Sequence, residues 1–250
     1  MSSIPQSLEE TVSQAKAATQ RALEAGCQRV QVEIVLPEIA LEAQSLALQF
    51  AELFESYGSG LKILFPDTGA AALARRDWGE TVFKVTDLGS SRTPVEMKLS
   101  EDDEVFLVVA ASAVEVAQVE KLCNWAQERD RPVILIIPQL ENVATIGIGY
   151  AARQLRERFL STLETAYYLR PFEGGTILRA YPSRWQVWLE KEEGYEKIAE
   201  EATKPIGERL ERIIMGAIAN NPDQENPAVA VPKKTGVLGS LQQFLKALSS

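Results

Sequence analysis

The stretch that decides the fold is EVFLVVAASAVEVAQVEKLCNWAQERDRPVILIIP, residues 104–138. Its two ends, Glu104–Ala110 and Pro132–Pro138, are nearly continuous apolar runs rich in Val and Ile. The segment between them, Ala113–Asp130, is predicted as a helix. Continuous apolar strands separated by a helix of this length are typical of parallel strands covered on both faces. This stretch therefore predicts a strand–helix–strand unit of a parallel sheet.

The same alternation continues toward the N-terminus. Helices are predicted over residues 7–26 and 38–57, and strands over Arg29–Pro37, Leu61–Asp67 and Thr81–Leu88. Repeated alternation of strand and helix favours right-handed crossovers and helices on both faces of the sheet. The sequence thus predicts the α/β class, as a three-layer, doubly wound, mostly parallel sheet.

The pattern changes in the aromatic block Tyr167–Trp188, YYLRPFEGGTILRAYPSRWQVW. Gly174-Gly175 lies between two strand-like runs, which indicates an antiparallel hairpin. A third run follows the turn at Tyr181-Pro182-Ser183. The prediction is an antiparallel meander at one edge of the sheet.

The C-terminal third is predicted to contain the last helix of the domain, followed by a linker and a separate short helix. A last helix should close the domain near Ala219, and its inward side chains are predicted to be Ile206, Leu210, Ile213, Ile214 and Ala217. Residues 1–219 are then a single α/β domain. Residues 220–236, rich in Pro, Asn and charge, are predicted as a flexible linker. Residues 237–250 are predicted as a short amphipathic C-terminal helix.

Composition excludes several classes of function. A net charge of −9 argues against nucleic acid as a partner, because such binding needs clustered Lys and Arg. The chain has no histidine, so a Ser-His-Asp or Cys-His nucleophile and a His-ligated zinc site are both excluded. Cys27 and Cys123 are predicted as free buried thiols. No metal or cofactor is predicted, and a non-enzymatic role is favoured while unfamiliar chemistry stays open.

Localisation follows from two further observations. No apolar run approaches the roughly 20 residues of a spanning helix. The polar N-terminus has no apolar segment of the secretory type. The sequence predicts a cytoplasmic protein, with peripheral contact to a membrane left open.

The first candidate binding site is PDTGAAALARR, residues 66–76. Asp67 stands at the carboxyl end of a predicted parallel strand and Thr68 follows it, where ligands of open α/β sheets gather, and the next helix could hold an anion at its start. Arg75 and Arg76 would be the anion's partners. No phosphate loop of the G-x-x-x-x-G-K type is present, and the alternative is that Asp67 or Thr68 simply caps the helix.

The second candidate is GIGYAARQLRER, residues 147–158, whose spacing formally satisfies G-x-G-x-x-A. A dinucleotide site needs those glycines directly after a strand and a further β unit, and neither is predicted here. Anion binding by Arg153 and Arg156 stays open, against a solvated helix face.

The third candidate is the aromatic block, in which arginines alternate with aromatic side chains. Alternation places Tyr168 and Arg170 on one face of their strand, and Arg179 with Tyr181 on one face of the next. Such mixtures suit carboxylate binding and protein interfaces, but they also occur in hairpins stabilised by packing alone. The candidate binding residues are Arg170, Arg179, Tyr181, Arg184 and Trp185.

Five segments together resemble a known family. They are IPQSLEETVSQAKAATQRALEAG, LKILFPDTGAAALARRDWG, PVILIIPQL, RQLRERFLSTLETAYYLRPF and GTILRAYPSRWQVW. The chain resembles, over about residues 4–190, the cyanobacterial and plastid family catalogued as domain of unknown function nineteen-ninety-five. The resemblance differs at one position, because Asn is expected before Pro138 and Ile137 stands there.

The resemblance implies a role around photosynthetic complexes in a cyanobacterium. The family is similar in part to a chloroplast protein needed for photosystem II accumulation, and to the C-terminal extension of a plastid adenylate kinase. It implies no kinase activity and supplies no catalytic residue. The implied function is an assembly or interaction factor for photosystem biogenesis, with a photosystem subunit or assembly factor as partner, at the thylakoid surface. The alternative is an α/β domain that binds a nucleotide- or phosphate-type small molecule.

Overall fold

The computed structural model describes residues 3–141 and 150–219, and the side chains of all of these except residues 150–152. The predicted linker at 220–236 and the predicted helix at 237–250 lie outside the described residues, as do the glycines of GIGYAARQLRER. The helices of the described part are α1 (Leu8–Glu24), α2 (Ala43–Ala51), α3 (Thr68–Trp78), α4 (Val116–Gln127), α5 (Tyr150–Arg158) and α6 (Glu208–Ala219).

The strands form one sheet of nine. They are β1 (Arg29–Ile34), β2 (Leu61–Phe65), β3 (Lys84–Asp87), β4 (Val105–Val109), β5 (Val133–Ile136), β6 (Glu164–Phe172), β7 (Gly175–Ala180), β8 (Trp185–Lys191) and β9 (Gly194–Glu201). Their order is β3-β2-β4-β5-β1-β6-β7-β8-β9. The first six pair in parallel and β6 to β9 pair antiparallel. The predicted α/β class, mostly parallel with an antiparallel edge, is confirmed.

Apolar side chains on both faces explain why β2, β4 and β5 occupy the interior of the parallel part. All three strands are buried along nearly their full length. On one face the core contains side chains of α1, α2 and α3, and on the other it contains side chains of α4 and α5. The sheet is therefore the middle of three layers.

The connections that leave β5 and β1 run to opposite layers. The chain passes from β1 into α2, whose buried side chains belong to the first core. From β5 it passes into α5, whose Leu155 belongs to the second core, as does Phe159 just after the helix. Strands β5 and β1 are neighbours in register from Arg29 opposite Val133. When the connections after two neighbouring parallel strands run to opposite faces of the sheet, a crevice opens at the carboxyl ends of those strands. Open α/β sheets bind their ligands in such a crevice.

The antiparallel meander confirms the predicted hairpin. Phe172 pairs with Gly175, so the β6–β7 loop has two residues, and Gly174 takes a positive φ of 75° that suits a tight turn. At Gly175 an added Cβ would lie 2.3 Å from the Trp188 carbonyl oxygen, so only glycine fits beneath β8.

Two features near the C-terminal end of the described chain differ from the prediction. Strand β9 was not predicted, because its sequence, GYEKIAEE, is mostly charged. Ile206 was predicted to point inward but is 56% exposed, since it precedes α6 and follows the buried Pro205. The prediction for Ile206 is wrong.

A buried ionic cluster lies beneath one edge of the sheet. The Asp103 side chain is fully buried and forms ion pairs with Lys62 and Lys84, the second at 2.7 Å. Its other contact is the Ser100 N–H, at 2.8 Å. Burial alone would raise the pKa of Asp103, but hydrogen bonds from Lys62 and Lys84 and then from Ser100 outweigh it and lower that pKa. The cluster fixes β2, β3 and the loop before β4.

Backbone strain is present at the carboxyl ends of β4 and β5. Ala110 has a φ of 53° and Ile137 a φ of 46°, in the left-handed region that disfavours residues with a Cβ. Ile137 is β-branched and buried in the first core. The asparagine that the family resemblance leads one to expect there is a residue type that tolerates this conformation. Backbone geometry therefore accounts for that expected residue without any role for its side chain.

Candidate functional site

The most distinctive polar site of the described chain lies on β1. Val30, Val32 and Ile34 are buried in the first core, while the alternate residues Gln31 and Glu33 face the α5 layer. Interior strands of parallel sheets normally carry apolar residues on both faces, as β4 and β5 do here. The polar face of β1 is therefore an exception that packing does not require.

A chain of hydrogen bonds connects these residues. The Gln31 side-chain amide donates to the Thr165 hydroxyl at 2.9 Å and to Glu33 Oε1 at 3.2 Å. Lys204 Nζ donates to Glu33 Oε2 at 3.0 Å. One hydrogen-bond network thus joins three distant parts of the chain: β1, β6 and the segment before α6.

Lys204 is held by aromatic rings as well as by Glu33. Its ammonium nitrogen lies 3.9 Å from the Tyr168 ring centroid and 5.5 Å from that of Trp185. The two rings themselves pack edge to face at 5.0 Å. Cation–π attraction therefore adds to the ion pair and restricts the lysine.

Burial and neighbouring charges act in opposite directions on the pKa of the half-buried Glu33 carboxyl. Burial raises the pKa of Glu33, the Lys204 ammonium lowers it through charge and hydrogen bonding, and the Glu141 carboxylate raises it again. The net result is a raised pKa, because desolvation disfavours the ionised form more than the lysine favours it. Glu141 is itself paired with Arg156 at 3.1 Å.

A cavity of about 390 Å³ opens beside this carboxylate. Its volume is within the range of small-molecule sites, which are mostly apolar with a few convergent polar groups. Here the polar groups are Gln31, Glu33 and Thr165. The apolar walls are Val35, Pro138, Leu140, Leu160 and Leu163, and Gln139, Glu141 and Lys204 complete the lining. We call this space the Glu33 cavity.

At the first predicted site, the structure places Asp67 and Thr68 at the start of α3. Asp67 Oδ1 accepts from the Ala70 N–H at 2.9 Å, so Asp67 is the N-cap. The Thr68 hydroxyl donates to Asp87 at 3.3 Å. Both side chains therefore have local structural partners, as in the capping alternative.

Arg75 and Arg76 are not brought to that end of the helix. They lie in the last turn of α3, roughly 10 Å along the axis from Thr68 at 1.5 Å per residue. Arg75 donates to the Val85 carbonyl at 3.0 Å, and Arg76 pairs with Asp77 at 2.7 Å. The four residues do not form one cluster.

Arg153 of the second candidate lies on an exposed part of α5. Arg156 of the same helix binds Glu141 at the rim of the Glu33 cavity. The helix therefore contributes an arginine to the cavity's surroundings, although the glycine pattern that drew attention to it lies outside the described residues.

Within the aromatic block, Arg179 and Trp185 are part of the packing. Arg179 forms an ion pair with Glu164 at 2.5 Å, and its guanidinium lies 5.4 Å from the Trp185 ring centroid. Trp185 is buried with Tyr168 and Ile177 in a small third core. Both candidate residues are therefore mostly engaged inside the meander.

The other three residues of the block lie apart. Tyr181 follows the end of β7, packs at the edge of the first core, and precedes Pro182 through a cis peptide bond. Its carbonyl accepts from Arg21 at 3.0 Å. Arg170 and Arg184 are exposed. Tyr181 therefore does not share the face of Arg179 and Ile177, because the strand ends at Ala180.

Sequence reasoning missed Gln31, Glu33, Thr165 and Lys204. One signal was present, because RVQVEI alternates polar and apolar residues in a strand that the repeated β–α pattern places inside a sheet. Lys204 had no such signal, since it is 171 residues from Glu33. Its position depends on the path of the meander.

Other chemistries have little support in the described part of the chain. Among residues 3–141 and 150–219 no group of three Cys, Asp or Glu side chains is placed to hold a metal ion. Cys123 is fully buried and burial raises the pKa of its thiol to about 12, which makes it a poor nucleophile. In the same residues no helix has the length and apolar character needed to cross a membrane.

The fold and this site define a three-layer α/β domain with an antiparallel extension and a polar cavity beside its first strand. The chain belongs to the family described as Domain of unknown function (DUF1995), whose model matches residues 5–212. The resemblance of its motifs to that family is thereby confirmed. No curated protein matches the chain.

Proposed function

We propose that this protein is a non-enzymatic interaction factor for the assembly of photosynthetic complexes, at the thylakoid surface, and that α6 is its docking helix. The family resemblance supports the photosynthetic setting. The observation that carries the docking role is the exposure of two apolar side chains of α6, Met215 and Ile218.

Helix α6 is strongly amphipathic, yet none of its residues is buried within the described chain. Leu210 packs at the edge of the third core. Further along the helix, Met215 is 67% exposed and Ile218 is 60% exposed. An apolar helix face on solvent is typical of a surface that a partner covers.

The charges of α6 favour a protein partner over a lipid surface. The first turns carry Glu208, Arg209, Glu211 and Arg212, two charges of each sign. Interfacial helices that bind anionic membranes are rich in Lys and Arg on their polar face. A helix of balanced charge with an apolar stripe instead suits an apolar groove on another protein.

The test is a pull-down of the tagged full chain from its native cell, with captured photosystem subunits and assembly factors quantified by mass spectrometry. The wild type should enrich such proteins, and the double variant Met215→Asp/Ile218→Asp should lose them. The matched control is Leu41→Asp/Val114→Asp, which changes two apolar residues that are 78% and 82% exposed elsewhere. The control should capture the same proteins as the wild type.

Two outcomes would overturn the proposal. The photosynthetic assignment fails if no photosystem subunit or assembly factor is enriched by the wild type. The assignment to α6 fails if the double variant captures as much as the control. Deletion of residues 237–250 should leave capture intact. If the deletion abolishes capture while the double variant still captures its partners, the contact lies in residues 237–250 and not in α6.

The nucleotide- or phosphate-binding alternative stays a prediction of the sequence. Its direct test is thermal shift with ATP, ADP and inorganic phosphate, together with Asp67→Asn. A ligand at 100 times its dissociation constant stabilises the folded state by about 2.7 kcal/mol, which a melting curve resolves. Unchanged melting with all three compounds would remove this alternative.

A further inference from the structure

We propose that the Glu33 cavity binds a small organic ammonium ion, whose charged nitrogen contacts Glu33 and whose apolar body packs against Leu140, Leu160 and Leu163. This role is separate from docking through α6, because the cavity is lined by other elements. The position, the charge and the free hydrogen-bonding capacity of the cavity support this role.

The position is the crevice between β5 and β1. Pro138, Gln139 and Leu140 follow the carboxyl end of β5, and Val35 follows that of β1. These strands send their connections to opposite layers, and among the described residues a cavity lies between the two loops. The fold thus leaves room at the place where a ligand would reach the half-buried Glu33 carboxylate.

The charge of the lining selects against anions. Glu33 and Glu141 both line the cavity, and each already holds a cation: Lys204 is engaged by Glu33 and the Tyr168 ring, and Arg156 by Glu141. A phosphate or carboxylate would have to compete with Glu33 and Glu141 for the cations that these carboxylates already hold, which costs free energy. A cation meets those same carboxylates favourably.

The Glu33 carboxylate retains capacity to accept from a third donor. A carboxylate offers about four lone-pair positions. Glu33 accepts one bond from Gln31 and one from Lys204, on different oxygens. An ammonium group in the cavity can therefore share the carboxylate with Lys204 without breaking the existing pair.

The apolar walls define the rest of the ligand. Leu140 and Leu163 are buried beneath the cavity and Leu160 is half-buried. Contact with such walls favours a compact hydrocarbon or aromatic body of drug-like size or smaller. The expected ligand class is thus an amine with one apolar group.

The experiment compares three probes of one shape and different charge: benzylamine, benzyl alcohol and benzoate. Each is titrated into the full chain with labelled Leu and Val methyl groups, and binding is followed by NMR. Benzylamine should shift the methyl signals of Val35, Leu140, Leu160 and Leu163. Its dissociation constant should be at least about tenfold lower than that of benzyl alcohol, which corresponds to 1.4 kcal/mol. Benzoate should not bind.

The chain supplies two controls. Glu33→Gln should weaken benzylamine to the level of benzyl alcohol, whereas Glu52→Gln, which removes an exposed carboxylate paired with Lys16, should not. Leu48 and Leu61 line a separate apolar groove and report nonspecific binding. The comparison of benzylamine, benzyl alcohol and benzoate is made on the wild-type protein. It therefore tests charge selectivity even if the Glu33→Gln variant does not fold.

The proposal is overturned by any of four results. Benzylamine leaves the four methyl signals unchanged, or it shifts Leu48 and Leu61 equally. Benzoate binds as well as benzylamine, or the folded Glu33→Gln protein binds benzylamine as tightly as the wild type.

Discussion

Lys204 donates to Glu33 across 171 residues of sequence, at 3.0 Å, and so ties the segment before α6 to the first strand of the sheet. Both side chains are only partly accessible, at 32% for Lys204 and 19% for Glu33. Removal of either partner therefore leaves the other in a poorly solvated place.

Lys204→Met is expected to destabilise the protein. The variant keeps the length of the side chain but leaves Glu33 without its cation, so the free energy of unfolding at neutral pH should fall by about 1–3 kcal/mol. Urea unfolding measures it. Lys191→Met, which breaks the looser pair with Glu196 at 3.4 Å, should change it by less than about 0.5 kcal/mol. A loss no larger than in this control would contradict the prediction.

The same variant should change the dependence of stability on pH. The pKa of Glu33 is raised in the folded state, so the folded state holds the proton more tightly than the unfolded chain. The contribution of Glu33 to the free energy of unfolding therefore falls as pH rises from its pKa in the unfolded chain, near 4.3, through its pKa in the folded state. Without Lys204 the folded-state pKa of Glu33 rises further. The loss of stability with rising pH should then be steeper and should extend to higher pH.

Asp103→Asn should be among the most damaging single substitutions. It leaves Lys62, whose side chain is almost fully buried, without a counter-charge, and breaking a buried pair costs about 3–5 kcal/mol. The measurement is chemical unfolding at pH 7, with Asp77→Asn on the surface as the control. Equal stability of the two variants would show that the cluster contributes little.

The pH dependence of Asp103 has the opposite sign. The pKa of Asp103 is lowered in the folded state. Its contribution to the free energy of unfolding is therefore complete above its pKa in the unfolded chain, about 3.9, and is lost as pH falls through its folded-state pKa. The difference in unfolding free energy between wild type and Asp103→Asn should therefore narrow in acid.

Trp185→Ala is expected to act on stability, since this side chain is buried between Tyr168 and Arg179. Loss of a buried Trp costs about 3–5 kcal/mol. Arg184→Ala, at the exposed neighbouring position, should change stability by less than about 0.5 kcal/mol. Thermal unfolding of both variants tests this, and a stable Trp185→Ala protein would return the aromatic block to consideration as an open recognition surface.

The parallel core was predictable because its signal is local. Residues 105–109 and 133–136 are apolar without interruption, and few structures other than a doubly covered strand bury such runs. The hairpin at Gly174-Gly175 was predictable for a similar reason, since its turn and both strands are adjacent in sequence. Strand β9 was not predictable, because among the described residues it pairs only with β8, and it carries charged residues that suit an edge.

The candidate site was predictable only in part. Asp67 was correctly seen to follow a strand, and its capping bond is the local alternative that the sequence already offered. Glu33 and Lys204 could not be paired from sequence, because their contact depends on β6 lying beside β1 and on the return path of three further strands. Long-range contacts of this kind leave no periodic trace.

Ala110→Gly should stabilise the protein. The left-handed backbone at Ala110 costs a residue with a Cβ about 1–2 kcal/mol, whereas the greater freedom of glycine in the unfolded chain costs about 0.5–1 kcal/mol. The expected gain is about 0.5–1 kcal/mol by urea unfolding. Ala111→Gly, at a buried neighbour with ordinary φ, should lose stability, and a gain in that control would contradict the backbone argument.

The position of β1 also determines when the sheet can form during synthesis. Gln28, just before β1, donates a hydrogen bond to Asp130, 102 residues later, and Gln31 of β1 donates one to Thr165, 134 residues later. At about 5–20 residues per second, β1 leaves the ribosome at least about 5 s before either neighbouring strand exists. Its two edges stay unpaired for that interval, and we expect the polar residues that later face the cavity to disfavour association of the nascent strand with other chains.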